Sequence, residues 1–144
     1  MAHSILFVCL GNTCRSPMAE GILRALRPDW RIDSAGTGLR QPGSPPDPRA
    51  IAVTSGHGLD ITHIRSRPVQ TSDFEAFDRI IAMDLRNLSA LNELAPPSAQ
   101  ATVSLLLPSG AEVPDPYEVG GYDSVFEMIR AACETLAHAD ETSR

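Results

Sequence analysis

The stretch Ile5-Leu6-Phe7-Val8-Cys9-Leu10-Gly11-Asn12-Thr13-Cys14-Arg15-Ser16-Pro17 runs from an apolar segment through a Gly-Asn turn into a helix start. Ile5 to Cys9 is almost wholly apolar, the pattern of a strand buried on both faces of a parallel sheet. From Pro17 onward, Met18, Ala19, Ile22, Leu23 and Leu26 recur at helical spacing, which leaves Glu20 and Arg24 for the outer face. Ser16 suits the cap of this helix and Pro17 its first turn.

Working outward, Trp30 to Ala35 alternates and ends in Gly36-Thr37-Gly38, so it reads as a second strand leaving into a loop. Strand, helix and strand in succession imply a right-handed crossover. Leu39 to Pro48 is a Gly- and Pro-rich loop, and Pro48 to Ser55 a short helix stopped at Gly56. Asp78 to Met83 is a third strand, followed by a helix over Asp84 to Leu94 that buries Leu85, Leu88, Leu91 and Leu94 and stops at Pro96-Pro97. Val103 to Leu107 is the fourth strand. A last helix, Ser124 to Ala137, turns Val125, Met128, Ile129, Ala132 and Leu136 inward. Alternating strands and helices predict a single α/β domain over residues 1–144, an open and mostly parallel sheet covered on both faces. Ligands of such sheets sit beyond the carboxyl ends of the strands, which is where Cys9 falls.

With 144 residues and 42% hydrophobic content, one core is expected. The net charge of −6 excludes nucleic acid and anionic membranes as general partners, so any anion must find a local positive site. Met1 to Ser4 brings no basic region before the apolar run, and no run is long enough to span a bilayer. The expectation is a cytoplasmic protein. Cys9, Cys14 and Cys133 are too few and too scattered for a disulfide scaffold and lack the companion ligands of a closed zinc site, so no metal is expected.

The chemistry lies in the loop after the first strand. Gly11 gives backbone freedom and Asn12 tolerates the left-handed region, so amides from Leu10 to Arg15, including those of Thr13 and Cys14, can turn inward on one anion. The helix start adds its own unpaired amides. A cysteine opens the loop and an arginine closes it, unlike the lysine-bearing loops that hold nucleotides. Near amide dipoles and Arg15, with the Ser16 hydroxyl beside it, the Cys9 sulfur is favoured as a thiolate. A phosphate in this cradle meets Cys9 in line, while the planar fork of Arg15 grips two oxygens. Transfer to sulfur splits hydrolysis into two steps and requires no metal or other cofactor.

Both steps need a proton carrier. Asp115 in Val113-Pro114-Asp115-Pro116-Tyr117 is the candidate, because the flanking prolines stiffen the backbone that carries it. Tyr117 is placed to stack on an aromatic leaving group. Arg65 and Arg67 read as a solvated loop and Cys133 as core. Cys14 leaves three readings open: a filler of space, a tuner of the cradle, or a partner that traps oxidised Cys9 as a disulfide.

The Cys-x5-Arg-Ser-Pro loop, Met18-Ala19-Glu20, Asp33-Ser34-Ala35-Gly36-Thr37 and Asp115-Pro116-Tyr117 together resemble the low-molecular-weight protein tyrosine phosphatases. The resemblance implies a four-stranded parallel sheet in the order 2-1-3-4 with helices on both faces. It also implies Cys9 as nucleophile, Arg15 as phosphate ligand and Asp115 as general acid and then base. Asn12, Ser16, Ser34 and His63 match the polar positions that brace the family's phosphate loop, and Met83-Asp84 matches a further family stretch. The implied partners are a phosphorylated protein as substrate and inorganic phosphate as product and inhibitor. Three departures bear on the substrate. Gly38-Leu39-Arg40-Gln41 stands where the family often has an aromatic, Glu118 follows Tyr117 where many relatives have another aromatic, and Thr13 is the residue type of related protein arginine phosphatases. A phosphoarginine hydrolase of the same mechanism is the near alternative. Thiol-dependent arsenate reductases share the fold but need further redox cysteines, and a module that only binds phosphoprotein would not need the full catalytic set.

Overall fold

In the computed structural model, which describes residues 3–142, Ser4–Cys9 forms strand β1 and Arg15–Leu26 helix α1. Strand β2 (Arg31–Gly36), helix α2 (Pro48–Gly56) and the short helix α3 (Asp73–Ala76) follow, then β3 (Arg79–Ala82), α4 (Leu85–Leu94) and β4 (Thr102–Leu105). After a 3-10 turn at Pro108–Gly110, a one-turn helix α5 (Pro116–Val119) precedes the long α6 (Tyr122–Thr142). The strands pair in parallel in the order β2-β1-β3-β4, as expected. Met1 and Ala2, at the start of the amino-terminal stretch, lie outside the described residues. No described helix is long and apolar enough to cross a membrane.

Central β1 shows why its sequence is continuously apolar. Ile5, Phe7 and Cys9 face a cluster with Met18, Leu23, Phe126 and Ile129, whereas Leu6 and Val8 face a second cluster with Phe74, Phe77 and Leu91. The two-residue period of a strand thus feeds two cores. Helices α1, α2 and α6 cover one face, and α3 and α4 the other.

Several side chains expected inside are outside. Leu26, Leu85 and Leu94 are exposed because they sit in terminal turns of their helices, where the chain leaves the sheet. Met128 is exposed too: the buried stripe of α6 runs through Val125, Phe126, Ile129, Cys133, Leu136 and Ala137, rotated from the expected one. Glu20, assigned to the outer face of α1, is only 2% exposed. Helical spacing alone places it outward, but β2 brings a polar partner, Ser34, to that side of the helix. Ser16 is the second residue of α1 rather than its cap; Cys14 holds the cap position and makes no side-chain capping bond. The helices α3 and α5 are too short for hydrophobic periodicity to reveal.

Phe126 of α6 is completely buried and stacks on His57, at the end of α2, with ring centroids 4.2 Å apart. Phe126→Ala is expected to cost about 3–5 kcal/mol of stability. Equilibrium denaturation in urea checks this, and a loss below about 1 kcal/mol would show that the α6 contact does not anchor the core.

Candidate active site

β1 ends at Cys9 and α1 begins at Arg15, and the five residues between them form a loop at the carboxyl edge of the sheet. Asn12 lies in it at φ 55°, a left-handed conformation. Its side chain is a hub: Nδ2 donates to Ser16 Oγ at 2.9 Å and to Ser34 Oγ at 3.0 Å, and Oδ1 accepts from the Arg67 amide at 3.0 Å. Ser34 Oγ in turn donates to Glu20 Oε1 at 2.7 Å. Ser16 Oγ lies 3.0 Å from Cys9 Sγ. Because Asn12 already donates to that hydroxyl, its own proton is free to be given to sulfur. Gly36 closes this floor, for a Cβ there would stand 2.7 Å from the Leu10 carbonyl oxygen and 3.1 Å from Asn12 Cβ.

Arg15 is 2% exposed, and its charge is answered inside the protein. Its Nη1 donates to Asp84 Oδ2 and to the Val113 carbonyl, each at 2.8 Å. Asp84 also caps α4 through Oδ1 on the Asn87 amide. One side of the guanidinium is thereby anchored. On its other side, Nη2 stands 3.7 Å from Asp115 Oδ2. Asp115 caps α5 by accepting the Tyr117 amide on Oδ1, which leaves Oδ2 toward Arg15. Cys9, Arg15, Asp115 and Tyr117 all line one cleft of about 640 Å³, together with Leu10, Gly11, Thr13 and Cys14.

The walls of the cleft are tied together. Arg40 Nη1 donates to Tyr117 Oη at 2.7 Å while its guanidinium carbon lies 4.3 Å from the centroid of that ring. Arg49 donates to the Tyr117 carbonyl at 3.1 Å and forks onto Asp47, whose amide bonds the Thr13 carbonyl at 2.8 Å. Pairing with Arg49 holds the Asp47 carboxyl below its usual range. This chain of contacts connects the nucleophile loop, α2 and the Asp115 loop.

Cys14 is buried with its sulfur 3.3 Å from Tyr122 Oη, and burial pushes its thiol up to about 11. Burial, with help from Cys14, also raises the Tyr122 hydroxyl. Cys133 is core, as expected, its thiol pushed up to about 12 by burial. Not every expected residue comes to the loop. His63 is exposed and makes no hydrogen bond to it among the described residues. Arg67, which was expected in a solvated loop, does reach the site: beyond its amide bond to Asn12, its guanidinium bridges Asp33 and the buried Asp73. Asp84, Arg67, Glu20 and Arg49 complete the site without having been assigned to it. Asp84 had a usable signal, since it follows β3 as Cys9 ends β1 and so occupies the same edge of the sheet.

The fold and loop define a class: a parallel α/β sheet whose first strand delivers a cysteine into a loop closed by a buried arginine. Residues 4–143 match the family model described as low molecular weight phosphotyrosine protein phosphatase, and the chain belongs to that family. The low molecular weight protein-tyrosine-phosphatase YfkJ of Bacillus subtilis is 38% identical, with 92% of each chain covered. Its crystal structure gives a TM-score of 0.91 over 100% of this chain and 98% of that one, at 35% identity. The rat low molecular weight phosphotyrosine protein phosphatase is 40% identical over 92% of this chain and 89% of its own. A Drosophila arginine phosphatase structure gives a TM-score of 0.88 at 36% identity, covering 94% of this chain and 96% of that one.

Glu20 links the site to pH. Burial raises its carboxyl above the ordinary 4.5, while Ser34 and Arg24 pull the other way. A raised acid favours folding when protonated, so its contribution is complete below about pH 4 and is lost as pH climbs through the raised value. Glu20→Gln keeps an acceptor for Ser34 without ionising. Across a series from about pH 4 to pH 7, the wild-type urea midpoint should therefore fall relative to that of the variant. A constant difference across the series would count against the assignment.

Proposed function

We propose that this chain is a protein tyrosine phosphatase that hydrolyses phosphomonoesters through a phosphocysteine. The observation that carries the reading is the convergence of Cys9 Sγ, Arg15 and Asp115 on one cleft, with Arg15 Nη2 3.7 Å from Asp115 Oδ2. The phosphate seats in the amide loop and on the free side of Arg15, where preorganised donors meet the charge that develops on its equatorial oxygens. The Cys9 thiolate attacks phosphorus as the bond to the leaving oxygen breaks. Asp115, in its protonated form, gives that oxygen its proton. Water then attacks the phosphocysteine, Asp115 takes a proton from it, and the sulfur–phosphorus bond breaks to return thiolate and inorganic phosphate. Phosphate, the product, occupies the same cradle and inhibits. The free thiols of Cys9, Cys14 and Cys133 support a reducing, cytoplasmic location.

Tyr117 on the cleft wall supports an aromatic substrate side chain. A second reading, phosphoarginine hydrolysis by the same steps, is supported by Thr13 in the loop and by the likeness to the Drosophila arginine phosphatase. The two are separated by kcat/KM on phosphotyrosine, phosphoserine and phosphoarginine peptides, with Cys9→Ser as blank. Phosphotyrosine is expected to be the best substrate, Cys9→Ser to be inactive, and Asp115→Asn to lose about 10²–10⁴-fold in kcat on it. Residual turnover in the Cys9→Ser protein at the wild-type rate would overturn the mechanism.

A further inference from the structure

The charged groups around the cleft are unevenly answered. Among the described arginines, Arg15, Arg24, Arg27, Arg49, Arg67 and Arg130 are ion-paired. Arg40 and Arg86 both line the cleft, and neither meets a carboxylate among the described residues. They come from different elements, Arg40 from the loop after β2 and Arg86 from the first turn of α4. Of the carboxylates lining the same cleft, Asp47 is answered by Arg49, Asp115 faces Arg15, and Glu118 alone stands uncompensated.

Arg40 is also preorganised. Its guanidinium lies on the Tyr117 ring and one nitrogen is fixed on Tyr117 Oη, so much of the ordering cost of a long side chain is met before a ligand arrives. Its remaining N–H groups are free to take a carboxylate. The chain as a whole is acidic, with a net charge of −6, and would repel an acidic peptide at long range. Screening limits that repulsion to roughly a Debye length, about 8 Å in physiological salt, whereas the two rim arginines act in contact.

We propose that Arg40 and Arg86 are specificity-determining residues that read acidic side chains flanking the phosphorylated residue, so that the preferred substrates are phosphopeptides with Glu or Asp next to the phosphorylated side chain. The inference rests on the phosphatase activity proposed for the Cys9 cleft. It is tested with three phosphotyrosine peptides of equal length whose flanks are Glu, Gln or Lys, assayed with wild type, Arg40→Gln, Arg86→Gln and the double variant at low and high salt. In the wild type at low salt, kcat/KM for the Glu peptide is expected to exceed that for the Gln peptide by about 3–10-fold, with the Lys peptide poorest. Each single variant should shrink the Glu/Gln ratio by about 2–3-fold, the double variant should bring it close to one, and salt should compress it in the wild type. A wild-type ratio of one, or a ratio that survives in the double variant, would overturn the proposal. Para-nitrophenyl phosphate has no flanks and separates the two levels: its turnover alongside flat peptide ratios refutes the rim alone, while failure to hydrolyse any phosphomonoester refutes the phosphatase activity and the rim with it.

Discussion

Asn12 is the residue on which the rest of the site hangs. Its left-handed backbone turns the loop inward, a conformation that costs an L-residue energy unless its surroundings over-determine it. Here they do: both ends of its amide side chain are committed, to Ser16 and Ser34 on one side and to the Arg67 amide on the other. Those partners belong to α1, β2 and the segment after α2, so three parts of the chain must be in place before the loop can take its shape. The sulfur is positioned through the same web, since the hydroxyl beside Cys9 is the one that Asn12 holds. Fold and reactivity are therefore one constraint at this point.

The web extends below the loop at a cost. Glu20 is a carboxylate buried under the sheet edge, tolerated because Ser34 donates to it and Arg24 lies 3.0 Å away. Arg67 works in the same manner on the other side, where its guanidinium joins Asp33, the neighbour of Ser34, to Asp73 at the start of α3. By tying Asp33 and Asp73, it fixes the backbone whose amide reaches Asn12. Ionic groups rarely stabilise a core by themselves, but a satisfied network holds one geometry against its alternatives.

The same web separates what was legible in the sequence from what was not. The four strands, the four longer helices and the reactive loop each carry a local signal: an apolar run, a 3.6-residue period, or a Gly-Asn turn between strand and helix. Sheet order came with the family resemblance, not from periodicity, whereas the roles proposed for Cys9, Arg15 and Asp115 were read from the chemistry of the loop and of the Pro-flanked aspartate, and the resemblance agreed with them. What local patterns could not convey were the tertiary partners. Glu20 sits among helix positions that repeat outward, and only the arrival of Ser34 makes burial possible. Arg67 meets only the Pro68 carbonyl and Asp73 nearby in the chain, and its amide bond to Asn12 spans 55 residues. His63 shows the converse, a residue whose place in a family pattern does not bring its side chain to the loop in this fold. The exposed Leu26, Leu85 and Leu94 mark where a helical period continues past the surface it packs on, and Met128 where the packed stripe is rotated from the one periodicity suggests.

Arg15 shows how a buried cation is held in an acidic protein. Its charge is largely answered by Asp84 at 2.8 Å, so the guanidinium brings little net charge to the cleft. What it brings is direction. With Nη1 spent on Asp84 and Val113, the arginine cannot swing, and its remaining N–H groups present a fixed fork beside the loop. Donors that do not reorganise are worth most where charge moves during a reaction, and they attract dianions less strongly than an unpaired arginine would at rest. Uncompensated positive charge is then left to the rim, where Arg40 and Arg86 meet no carboxylate among the described residues and act at contact range, apart from the anchored fork of Arg15.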